Sequence, residues 1–167
     1  MDNHQLRKSI NNITFLWMIS CFVDMSYVVF QTYDPDIHNT LSSVIIYNPK
    51  IIYVMNIMSL FTILYETTRY NQVLIRLITI CYVLVGCYGI LRTSENTIRH
   101  DLFAVTIFSG IMVFMFHTID RSFLKKLATY INIAISVKII LKKMIQENDI
   151  FTDECMFVLM FALHYCF

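Results

Sequence analysis

Long apolar runs alternate with short polar stretches along the whole chain. A helix needs roughly 20 residues, rising 1.5 Å each, to cross a hydrocarbon core about 30 Å thick. The longer runs approach this length, and Asn, Asp, Ser and Pro residues separate them. The pattern predicts an all-α, polytopic membrane helix bundle that forms a single transmembrane domain over residues 1–167, with helices at about residues 13–30, 49–65, 73–91, 102–119, 127–141 and 155–167.

Two of these six segments carry a weaker signal. In segment 127–141, eight Leu, Ile and Val residues favour insertion by about 0.5 kcal/mol each, and Lys138 opposes it by about 2.5–3.5 kcal/mol. Asn132 adds a further cost, so the sum lies near zero, and a basic helix lying on the membrane surface is the alternative. Segment 155–167 spans only about 20 Å. The sequence therefore predicts six crossings, with five as the alternative.

Composition places the chain in a membrane. Of its 167 residues, 57% are hydrophobic and 15% charged, and the mean hydropathy is +0.59. A soluble domain of this size has more charge. No small-residue cleavage pattern follows the first segment, which predicts a retained helix rather than a signal peptide. A mild excess of Lys and Arg in the loops on one side predicts that both termini are cytosolic.

Asp24 and Lys138 are the polar residues whose placement in apolar segments is most costly. A charge inside the hydrocarbon costs a few kcal/mol and is a functional candidate by default. The two residues lie about equally far along segments predicted to run in the same direction. The sequence allows an Asp24–Lys138 ion pair. The alternative is a protonated or hydrogen-bonded Asp24, with Lys138 extending outward to the headgroups.

All three glycines of the chain lie in the third and fourth segments, at Gly86, Gly89 and Gly110. Glycine lets two membrane helices approach closely, because packing drives their association in lipid. Gly86 and Gly89 share one face of the third segment, and Gly110 lies on a polar face of the fourth. These faces are predicted to pack against each other.

At the predicted cytosolic end of the second segment, Glu66 is expected to meet Arg69 or Tyr70. The five cysteines lie in apolar segments and lack metal-site spacing, so they indicate packing residues. The pattern contains no nucleophile with its base, no phosphate-binding glycine loop and no basic patch for nucleic acid. The prediction is therefore a protein without catalytic residues, metal, cofactor or nucleic-acid partner.

Several short motifs carry a resemblance that covers about residues 33–167. They are Asp34-Pro35-Asp36-Ile37-His38-Asn39-Thr40, Tyr65 with Arg69-Tyr70, Leu84-Val85-Gly86-Cys87-Tyr88-Gly89, His100-Asp101 with Ala104, Phe108 and Gly110, and Glu154. Together they resemble the damage-regulated autophagy modulator family, a multi-pass group that also includes the Frag and Sfk proteins. The chain differs from that family's pattern at His38-Asn39, at Leu102-Phe103 and at Cys155, and it is expected to be without the family's cytosolic tail.

The resemblance implies a protein of the endomembranes, such as lysosome, Golgi or endoplasmic reticulum, that modulates autophagy and cell death or membrane lipid organisation. The abundance of Ile, Asn, Tyr and Lys indicates an AT-rich coding sequence. We therefore expect a shortened viral copy of a host protein of this family, acting on the host pathway. The expected partners are the lipid bilayer, lipid headgroups and host membrane proteins. The alternative from another class is a small oligomeric ion or proton channel lined by Asp24 and Lys138. Lipid remodelling is the enzymatic alternative.

His38, His100, Asp101 and Glu154 form the predicted outer polar cluster. Asn96 or Thr97 is placed to cap the fourth helix, and Asp101 lies at its positive end. One interpretation is a capped turn at the membrane interface. The other is a cluster that binds a lipid headgroup or senses acid, because histidine titrates near pH 6.5.

Overall fold

The computed structural model describes residues 3–69, 74–93, 97–147 and 149–166. Every regular element in these ranges is an α-helix, and the predicted all-α class is confirmed. The helices are α1 (Asn3–Thr32), α2 (Leu41–Tyr47), α3 (Pro49–Arg69), α4 (Leu74–Ile90), α5 (Ile98–Thr118), α6 (Phe123–Met144) and α7 (Phe151–Cys166).

Six of these helices cover the six predicted segments, although their ends differ. The largest difference is in α1, which begins at Asn3 instead of residue 13. Residues 3–12 are polar but contain no Gly or Pro, so the helix continues beyond its apolar part. An apolar run predicts what a membrane covers, whereas backbone propensity decides where a helix ends.

The short helix α2 was not predicted. Thr40 caps it, because the Thr40 hydroxyl accepts a hydrogen bond from the Ser43 amide at 3.1 Å. The Ser43 hydroxyl accepts one from the Thr40 amide at 3.4 Å. Serine thus fills the position that Glu or Gln holds in the usual capping box. This reciprocal cap makes a helix of residues that the hydropathy pattern assigns to a loop.

Two helices of the described chain are long and apolar enough to cross a membrane, Gln5–Thr32 and Ile98–Thr118. Residues Arg76–Ile90 form a shorter apolar helix. Lysines interrupt α6, and α7 has only 16 residues. By length and composition the structure therefore supports membrane association through α1 and α5.

The long helices pack as three antiparallel hairpins, α1 with α3, α4 with α5, and α6 with α7. In the first hairpin, the Trp17 ring stacks on Phe61 with centroids 5.7 Å apart. Near its other end, the Asn48 side-chain amide donates to the Thr32 hydroxyl at 2.8 Å. The helix α2 lies at this second end, called here the α2 end, together with the start of α7.

The three glycines lie at the contact between α4 and α5. A Cβ atom at Gly86 would lie 2.7 Å from Ile107 Cγ1, and one at Gly110 would lie 2.7 Å from Val83 Cγ2. A Cβ atom at Gly89 would overlap the Phe103 ring. The structure thus places these residues where the helical spacing put them, at a close approach of two backbones.

Candidate functional site

His100 joins the start of α5 to α2. Thr97 caps α5 by accepting a hydrogen bond from the His100 amide at 3.2 Å. The His100 side chain is buried, with its Nε2 3.1 Å from Ser42 Oγ and its Nδ1 3.4 Å from Thr93 Oγ1. A neutral imidazole has one donor and one acceptor, and these two hydroxyls satisfy both. The buried histidine therefore connects three segments of chain.

Glu154 joins the start of α7 to the same helix. The Leu41 amide is in the first turn of α2 and has no acceptor within the helix. It donates to Glu154 Oε2 at 2.6 Å, and the Ile150 amide donates to the Asn39 carbonyl at 3.0 Å. We call the group formed by Thr40, the Leu41 amide, Ser42, His100 and Glu154 the α2 junction.

The other two residues of the predicted outer cluster, His38 and Asp101, make different contacts. His38 is buried, and its Nδ1 accepts a hydrogen bond from the Asp34 amide at 3.1 Å, in the turn after α1. The Asp101 side chain is 56% exposed and lies 3.8 Å from Lys143 Nζ. Neighbouring helical residues point about 100° apart, so burying His100 turns Asp101 to the surface. Through α2, the structure joins His100 to Glu154.

Lys138 pairs with Asp153 of α7, and the hypothesis of an Asp24–Lys138 pair is wrong. Lys138 Nζ lies 2.6 Å from Asp153 Oδ1, and Lys142 Nζ lies 3.2 Å from Asp153 Oδ2. Burial raises the pKa of Asp153, but hydrogen bonds from the two lysines outweigh it and hold the pKa below its usual value. Equal depth along two segments does not make the helices adjacent, and α6 packs on α7.

Asp24 is exposed on the surface of α1. Tyr27, one turn away, is 64% exposed, and Trp17 is 53% exposed. Asp24 and Tyr27 therefore face outward from the bundle, whereas the Trp17 ring packs on Phe61 of α3.

Glu66 is the centre of a polar cluster at the end of the bundle opposite α2. Its side chain is 0% exposed and accepts hydrogen bonds from Arg76 Nε and from the Tyr165 hydroxyl, both at 2.5 Å. The Arg76 guanidinium also lies 5.1 Å from the centre of the Phe114 ring. We call Glu66, Arg76 and Tyr165 the Glu66 cluster. It connects α3, α4 and α7, with α5 at its side.

The predicted partners of Glu66 were Arg69 and Tyr70. The Arg69 side chain and Tyr70 lie outside the described residues, and Glu66 instead contacts residues from two other helices. Arg76 lies ten positions along the chain and Tyr165 ninety-nine. Helical spacing identifies only neighbours on the same helix face, so it could not predict Arg76 or Tyr165 as partners of Glu66.

His164 is a buried residue that the sequence reasoning missed. It is 1% exposed, with Nε2 2.8 Å from Thr118 Oγ1 and Nδ1 3.1 Å from Thr129 Oγ1. These contacts connect α5, α6 and α7 beside the Glu66 cluster. The only signal in the sequence is a histidine inside an apolar run, where a buried imidazole needs hydrogen-bonding partners.

The chemistry that these groups offer is hydrogen bonding and charge pairing between helices. Among the described residues, no group of three or more His, Cys, Asp and Glu side chains is placed to hold a metal ion. The cysteines are free thiols, of which Cys81 and Cys166 are exposed.

Comparison of the chain with family models, curated proteins and solved structures gives no match. The resemblance to the damage-regulated autophagy modulator family therefore remains an expectation from short motifs.

Proposed function

We propose that the chain is a six-pass membrane protein of the endomembranes that modulates autophagy and cell death, or membrane lipid organisation, without catalysing a reaction. Both termini lie in the cytosol, and the partners are lipid headgroups and host membrane proteins. The sequence motifs supply the pathway in this proposal. The geometry supports the architecture and the non-catalytic role.

The polar residues of α6 favour six crossings over five. Thr129 and Asn132 are 0% exposed. Asn132 Nδ2 donates to the Phe157 carbonyl of α7 at 3.1 Å. A helix lying on the membrane surface turns its polar face to water and headgroups. In α6, buried polar side chains instead contact other helices, as they do between helices that cross a membrane.

The observation that carries the non-catalytic role is that the buried polar groups hold helices to one another. Glu66 is wholly buried against Arg76 and Tyr165, and Glu154 caps α2. His100 lies between two hydroxyls. A catalytic acid, base or nucleophile needs access to a substrate in a pocket. Groups that are buried and already satisfied by protein atoms are suited to fixing an architecture.

Autophagic flux in cells expressing the amino-terminally tagged chain tests this proposal. We expect an endolysosomal or other endomembrane location and a change in flux relative to cells with the empty vector. The destabilising substitution E66A is the matched control and should abolish the change. Unchanged flux with the folded protein at endomembranes would contradict the proposal.

One observation favours a channel as the second candidate function. Asp24 and Tyr27 are exposed, so an aqueous path would form between several copies of the chain rather than inside one. Reconstitution in planar bilayers separates the two functions. A channel gives ionic current that D24N removes, whereas the modulator gives none.

A further inference from the structure

A cavity of about 430 Å³ opens at the turn between α4 and α5, at the α2 end of the bundle. It is lined by Arg92, Thr93, Thr97, Ile98 and Arg99. Two arginines and two threonines thus line one concave space. None of these five residues belongs to the Glu66 cluster, and only Thr93 and Thr97 touch the α2 junction, through His100.

The two arginines of this cavity differ from the five cations that the described part of the chain places in ion pairs. Within the described residues, no carboxylate lies within 4.0 Å of either guanidinium, and both residues are exposed. Asp101, in the first turn of α5, is next to Lys143. The cations with an ion-pair partner are Arg76, Lys125, Lys138, Lys142 and Lys143. The cavity therefore concentrates positive charge that the described protein groups leave uncompensated.

We propose that this cavity binds a phosphate group. Arginine presents a planar fork of donors that fits phosphate oxygens, and two such residues line this cavity. The early amides of α5 have no acceptor within the helix and add a partial positive charge. The ligand is a lipid headgroup phosphate or a free phosphate, and both share this chemistry.

The position of the cavity favours the lipid source and rests on the proposed membrane function. The cavity lies at the end of α5, whose 21 residues are long and apolar enough to cross a bilayer. The end of a helix that crosses the hydrocarbon core lies at the level of the lipid headgroups. Thr93 also contacts His100 Nδ1, and His100 Nε2, on the other side of the ring, contacts Ser42 of α2. A bound phosphate would therefore fix the α4–α5 turn against the α2 junction.

Binding to the purified full chain tests the proposal directly. The protein in non-ionic detergent is titrated with inorganic phosphate and, separately, with dihexanoyl phosphatidic acid. The midpoint of thermal unfolding is followed by the fluorescence of Trp17, the single tryptophan. R92Q/R99Q is expected to weaken binding about tenfold or more, since each guanidinium supplies charged hydrogen bonds. R121Q/K126Q removes the same charge at the opposite end and should bind as the wild type does.

Tight binding of the phospholipid with weak binding of inorganic phosphate identifies the lipid source. Equal binding of both identifies a phosphate site without lipid preference, and either result supports the proposal. Glu95 is in the same turn but outside the described residues, so E95Q is included and should retain or tighten binding. Unchanged affinity in R92Q/R99Q would overturn the proposal, as would an equal loss in R121Q/K126Q. These outcomes do not depend on autophagic flux, so the proposed function can fail separately.

Discussion

The two ends of the bundle use buried polar groups in different ways. At the α2 end, His100 lies between neutral hydroxyls, and Glu154 caps a helix of seven residues. At the other end, a carboxylate that is 0% exposed pairs with Arg76 and Tyr165. The α2 junction thus fixes a short element, whereas the Glu66 cluster connects long helices through a buried charge.

The difference matters because the two kinds of contact fail differently. Losing one partner of a neutral hydrogen bond costs about 1–3 kcal/mol when the other partner stays buried. Losing one partner of a buried ion pair leaves an uncompensated charge and costs about 3–5 kcal/mol. We therefore expect the Glu66 cluster to control global stability and the α2 junction to control local order.

The largest effect is expected from E66A. Removing the carboxylate leaves the Arg76 guanidinium and the Tyr165 hydroxyl without their buried acceptor, so the free energy of unfolding should fall by about 3–5 kcal/mol. Chemical denaturation in detergent micelles, followed by Trp17 fluorescence, measures this loss. Trp17 reports on the α1–α3 hairpin because it stacks on Phe61.

Two variants show whether the charge itself causes the loss. E66L/R76M replaces both charges with apolar groups of similar size and should recover most of the stability, because desolvation opposes buried ion pairs. D120N breaks the exposed Asp120–Lys125 pair and should change stability much less. If the double variant is as unstable as E66A, the comparison between the two ends is wrong.

The sequence predicted the helices better than it predicted their partners. Apolar runs located six long helices, because the hydrocarbon-length pattern is local. The glycine spacing also placed Gly86, Gly89 and Gly110 on faces that the structure brings into contact. Helical periodicity alone is enough to identify such faces.

Contacts between distant segments could not be predicted in the same way. Equal depth allowed Lys138 to pair with Asp24, but the packing of the whole bundle decides which helices are adjacent, and it places Asp153 next to Lys138. Tyr165 reaches Glu66 across ninety-nine positions. The helix α2 escaped prediction because a cap formed by Thr40 and Ser43, rather than an apolar pattern, defines it.

A smaller and local effect is expected from E154A. The Leu41 amide would lose its charged acceptor, and a lost cap of this kind costs about 0.5–2 kcal/mol. Hydrogen exchange should become faster in Leu41–Tyr47 and remain unchanged in α4. E154Q keeps an acceptor oxygen and should exchange more slowly than E154A. Faster exchange across the whole chain would show that the α2 junction also controls global stability.

The smallest effect is expected from acid and concerns Asp153, beside the α2 junction. Lys138 and Lys142 hold the pKa of this carboxyl below its usual value of 3.8, although burial alone would raise it. The unfolded chain therefore binds the proton more readily than the folded one. The stabilisation by Asp153 is present above the usual pKa and is lost as the pH falls through the lowered pKa.

The stability difference between the wild type and D153N isolates this contribution from other carboxyl groups. We expect a constant difference above about pH 5 and a shrinking one between about pH 4 and about pH 2. D36N, in the loop between α1 and α2, is the control. Thermal unfolding midpoints across this range measure the effect. A difference that persists at the lowest pH would mean that Asp153 stabilises the bundle by packing and not by its charge.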